Sequence, residues 1–121
     1  MKTLLVPTPL QAAQLPETVA AYLDTLAFTY DDNTQRFVSP EAPGFALTFW
    51  DDTKYKHEMP VIRVEIRTHA EINPSGIELV HTHRFAKHNS CRKSVHKALK
   101  RAGLNVSVIM RRRKLNALIA D

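Results

Sequence analysis

"VIRVEIRTHAEINPSGIELVHTHRF", residues 61–85, decides the fold. Its first half alternates with period two. Ile62, Val64, Ile66 and Ile72 fall on one side, and Arg63, Glu65, Arg67, His69 and Glu71 on the other. Successive side chains of a strand point to opposite faces, so this is the pattern of a half-buried strand. Asn73-Pro74-Ser75-Gly76 then carries the residue preferences of a type I turn, and the chain returns to Phe85 as an antiparallel partner. A β-hairpin is expected. If Gly76 is the left-handed residue of a three-residue bulged loop, Asn73 pairs with Ile77. His69 then faces His81 and Arg67 faces His83, on the side of Arg63. A plain four-residue turn shifts each partner by one and turns His81 and His83 towards the isoleucines. The bulged register is preferred, because it keeps two imidazoles out of the core.

Working outward, residues 1–15 read as an extended lead-in containing Pro7 and Pro9. Pro16 suits a helix start, with Glu17 in its first turn, and Val19, Tyr22, Leu23 and Leu26 follow at helical spacing. "FTYDDNTQRFV" reads as two short strands around Asp31-Asp32-Asn33, and "FALTFW" (45–50) as a third. After the hairpin, Ser90 or Asn89 is the expected cap of a helix over 91–102 that Gly103 ends. Cys91, Val95, Ala98, Leu99 and Ala102 form its buried stripe. "NVSVIM" (105–110) alternates and is expected as a strand, and 111–121 as a basic C-terminal helix. The chain is therefore expected as one α+β domain over 1–121, a mainly antiparallel sheet with helices on one face.

A chain of 121 residues with 44% apolar content is long enough for a core of its own. The single cysteine, Cys91, excludes an internal disulfide and fits a reducing compartment. Leu4-Leu5-Val6 is too short for a secretory h-region, and no apolar run approaches the roughly 20 residues of a membrane span. A cytoplasmic protein without a membrane partner is expected.

Charge is distributed unevenly. Residues 1–60 carry 4 Lys/Arg and 8 Asp/Glu, and residues 61–121 carry 13 and 4. Between Arg84 and Lys114 there are 11 basic residues and no acidic one. A single-sign segment of that length repels itself and suits an anionic partner.

The stretch 80–103 also holds four histidines and Cys91. His81, His83, His88 and Cys91 are types that bind zinc, but Cys91 belongs to an apolar helical stripe and no carboxylate is near in sequence. No metal site and no cofactor is expected. His-x-His on a strand resembles the motif of the HUH nucleases. Thr82 stands where those enzymes need a bulky hydrophobic residue, and the last tyrosine is Tyr55, so the resemblance fails. In the bulged register, His69 and His81 beside Arg67, with His83 adjacent, would satisfy a metal-independent ribonuclease. Half-exposed sheet histidines are the simpler account, and no catalytic residue is assigned.

The expected function is nucleic-acid binding. Arg92, Lys93, His96, Lys97 and Lys100 line the polar side of the second helix with Arg101 on its flank. Arg111, Arg112, Arg113 and Lys114 follow, and Arg84 and Lys87 lead back towards the hairpin. Helical cations about 6 Å apart match successive phosphates. Phe85 is the one aromatic residue in this region, which favours backbone contact with duplex DNA or structured RNA over stacking on single strands. The alternative is a protein-interaction or inhibitor module, of the accessory kind carried by mobile genetic elements, that binds an acidic groove of a partner.

Overall fold

The computed structural model describes residues 4–87 and 91–119. Six strands form one antiparallel sheet: β1 (Thr8–Pro9), β2 (Thr29–Asp31), β3 (Arg36–Val38), β4 (Phe45–Asp51), β5 (Val61–Thr68) and β6 (Leu79–Ala86). The order is β2-β3-β4-β5-β6, and β1 pairs with the far end of β4 through Thr8↔Asp51 and Pro9↔Trp50. The lead-in, expected as extended over 1–15, pairs with the sheet at Thr8–Pro9 and through a bridge from Leu4 to Tyr55, but folds into a 3₁₀ turn at Ala12–Gln14. The described residues also form three α-helices: α1 (Glu17–Thr25), α2 (Cys91–Arg101) and α3 (Val106–Ile119). The fold is α+β. Among the described residues no helix is long and apolar enough to cross a membrane.

One core joins the layers. Leu47 and Phe49 of β4, Ile62, Val64 and Ile66 of β5, and Phe85 of β6 form its sheet side. Val19 and Leu23 of α1, Cys91, Val95 and Leu99 of α2, and Val106 and Ile109 of α3 form its helical side. Phe37 bridges the thin end of the sheet, with ring centroids 5.0 Å from Tyr30 and 5.6 Å from Phe49.

Two expectations are corrected. First, β5 and β6 pair as Ile66↔His81, Val64↔His83 and Arg67↔Val80. His81 and His83 therefore point to the isoleucine side, and the bulged register is not adopted. The turn at Asn73–Gly76 does form, with Gly76 N donating to Asn73 O at 2.9 Å and Gly76 at φ +69°. It is the tip of a longer loop, because pairing stops at Thr68↔Leu79. Asn73 Nδ2 accounts for this: it lies within 3.2 Å of Thr68 O, Thr68 Oγ1, His69 O and Ile77 O and closes the loop from inside. The imidazoles are tolerated because β6 is an edge strand. Both rings are half-buried, and His83 stacks on Phe85 at 6.1 Å.

Second, residues 106–110 are not a strand. They begin α3, which runs without a break through the Arg run to Ile119. Gly103, at φ +94°, turns the chain out of α2. Asn105 then caps α3, its Oδ1 accepting from Val108 N at 3.2 Å. Val106, Ile109 and Met110 follow at i, i+3 and i+4 and face the core, a spacing that alternation at 106 and 108 had disguised.

Candidate nucleic-acid interface

The hydrophobic stripe of α2 fixes which way its cations point. Cys91, Val95, Ala98 and Leu99 are buried, and the remaining arc of the helix carries Arg92, Lys93, Lys97, Lys100 and Arg101, all exposed. None of these five has a carboxylate partner among the described residues. The expected caps Asn89 and Ser90, together with His88, lie outside the described residues.

Other cations of the second half are spoken for. On the outer sheet face, Asp52 pairs with both Arg63 and Arg84, and Glu65 with Arg63 and Arg67. Arg67 is also bound to Glu78 at 2.9 Å, and that hydrogen bond raises its pKa, against the opposing effect of burial. Arg84 thus faces away from the helical layer and does not extend the basic face of α2. Lys87 is exposed just beyond β6, with its backbone N donating to Pro60 O. Arg112 is tied to Glu41, with Nε to Oε2 at 2.8 Å and NH2 to the Glu41 carbonyl at 3.2 Å.

Arg111, Arg113 and Lys114 have no ion pair among the described residues. They start one residue after Met110, which lies beside α2. Tyr22, Arg92, Lys93, His96, Lys97 and Met110 together line a cleft of about 330 Å³ between the three helices. Arg113 and Lys114, at i+3 and i+4 from Met110, lie on the same side of α3 one turn further on.

His96 is set apart from its basic neighbours. Its Nδ1 lies 2.6 Å from the Tyr22 hydroxyl, with the rings 5.8 Å apart and edge-on. Tyr22 is buried, and desolvation pushes its pKa up to about 12, while the Arg92 guanidinium, 6.0 Å above the ring, opposes that rise. A phenol held protonated is the donor to Nδ1 of a neutral imidazole, whose ring proton is then on Nε2.

The geometry a ribonuclease would need is not formed. His69 lies beyond the end of β5, where its Nδ1 accepts from Glu71 N at 3.2 Å and caps a short 3₁₀ turn. Arg67 is on the outer face and His81 on the inner, so His81 is kept from Arg67; His69 shares a cleft with Arg67, but without His81. Cys91 is buried, its Sγ donating to Ala86 O at 3.3 Å. No group of three or more His, Cys, Asp or Glu among the described residues is placed to hold a metal. The cleft that His69 shares with Arg67, of about 510 Å³, is lined by Arg36, Phe45, Arg67, His69 and Ile72 and lies away from the basic face of α2.

Sequence reasoning missed Tyr22 and Met110 as neighbours of the basic face. Tyr22 reads as part of a core stripe, and its partner is 74 residues away. The helical spacing of Met110 with Val106 and Ile109 was the available signal. The chain matches no protein-family model, no curated protein and no solved structure.

Proposed function

We propose that the chain binds nucleic acid through its backbone phosphates, with the outward arc of α2 as the platform and duplex DNA or structured RNA as the partner. One observation carries this. The arginines of the outer sheet face, and Arg112, are neutralised by the protein's own carboxylates, whereas the cations of α2 are left free among the described residues. Lys93, Lys97 and Lys100 succeed one another at i, i+4 and i+7 on a rigid rod, and Arg92 adds a planar donor fork. Such contacts position a nucleic acid without reading its sequence. The buried Cys91 thiol is compatible with a reducing, cytoplasmic setting.

The test is affinity measured by anisotropy over a salt series, with Lys93→Gln/Lys97→Gln/Lys100→Gln beside the parent chain. The triple variant is expected to lose at least tenfold in affinity for every duplex sequence alike. Unchanged affinity would remove α2 from the interface.

A protein partner with an acidic groove is the second reading. It is favoured by the end of α3, where Leu115, Leu118 and Ile119 are 56%, 72% and 70% exposed beside Arg111 and Lys114. A complex with a single protein that survives nuclease treatment, and that Leu118→Ser abolishes, would support it over the first.

A further inference from the structure

The cleft between α1, α2 and α3 differs from the platform around it. It is lined by the buried Tyr22 and the half-buried Met110 together with the exposed Arg92, Lys93 and Lys97. A platform for phosphates alone needs no apolar recess. About 330 Å³ is far more than an ion requires and is ample for one nucleobase with its sugar.

Each wall matches a part of a nucleotide. The Arg92 guanidinium is held over the Tyr22 ring, its Cζ 6.0 Å from the centroid, and supplies a planar group on which a base can stack. Met110 supplies an apolar, deformable contact. His96 has its Nδ1 engaged by the Tyr22 hydroxyl, which leaves Nε2 to hydrogen-bond a polar atom of the base. Lys93 and Lys97 stand at the mouth, where the flanking phosphates would pass.

We propose that this cleft accepts a single unpaired nucleotide, a bulged or flipped-out base, while the free cations of α2 hold the backbone on either side. The role presupposes the phosphate platform and adds a preference to it: the favoured partner is a duplex interrupted by an unstacked base.

The experiment compares binding of the full chain to a perfect duplex and to the same duplex with one unpaired adenosine, each as RNA and as DNA. Met110→Trp fills the cleft, and Arg92→Ala, at an exposed position, removes the stacking plane. Circular dichroism establishes that both variants fold. The expected result is roughly tenfold tighter binding of the interrupted duplex, the order of one stacked base, in RNA, DNA or both. Both variants erase that preference. Equal affinity for the two probes, or a preference that survives both variants, overturns the cleft assignment and leaves the platform standing. Failure to bind any of the four probes overturns the platform and the cleft together.

Discussion

Tyr22 and His96 show how one hydrogen bond fixes the chemistry of a surface. The phenol is buried, so its hydroxyl needs a partner, and the histidine supplies the acceptor at 2.6 Å. His96 is thereby anchored by its neighbour on α1. The folded pKa of about 12 lies above the ordinary value of 10, so the neutral phenol is the form the fold favours. Its contribution is complete below pH 10 and is lost as pH rises through 12, a swing of up to about 3 kcal/mol. Urea unfolding of Tyr22→Phe is expected to show a loss of about 1 kcal/mol at pH 7. Between pH 10 and 12 the gap to the parent chain should close, since the variant has no phenol to ionise. A constant gap across that range would mean that Tyr22 titrates in the fold as it does in water.

At the scale of elements, α3 changes allegiance along its length. Val106, Ile109 and Met110 face the core, while Leu115, Leu118 and Ile119 do not. The first half is held by packing and by the Asn105 cap, and the second half is joined to the body chiefly through Arg112 and Glu41. Ile109→Ala is therefore expected to cost about 2–5 kcal/mol in urea unfolding. Leu115→Ser/Leu118→Ser should stay within about 0.5 kcal/mol of the parent chain. A large loss in the double serine variant would show that the end of α3 is covered in solution. The β5–β6 hairpin was legible because its alternation and its turn signal agree. Its register was not, because Asn73 spends its amide on closing a ten-residue loop, which turn propensity alone does not reveal.

Across the whole molecule, charge is sorted by layer. The outer sheet face carries Arg63, Arg67 and Arg84 interleaved with Asp52, Glu65 and Glu78, so its field largely cancels. In the helical layer Arg112 is paired with Glu41, whereas the cations of α2 have no ion pair among the described residues. A net charge of +5 thus understates the asymmetry that a polyanion would meet. With four α2 cations on phosphates, the logarithm of affinity for duplex DNA should fall with the logarithm of salt at a slope of roughly −3.6. Arg84→Gln, on the far face, should leave both slope and affinity unchanged. A shallower slope in Arg84→Gln would place the nucleic acid on the sheet.

The sequence by itself determined strands β2 to β6, the pairing of β5 with β6, the two amphipathic stripes of α1 and α2, and which side of α2 carries its cations. All of these follow from local periodicity, which fixes which side of an element is apolar. The tertiary structure alone decided which arginines are free. An ion pair such as Arg112–Glu41 spans 71 residues, and nothing local records it. It also decided that residues 106–110 are helical, since a segment that satisfies both periods takes the one its neighbours can bury. The cleft at Met110 exists for the same reason. It is made by three helices meeting, and no one of them encodes it.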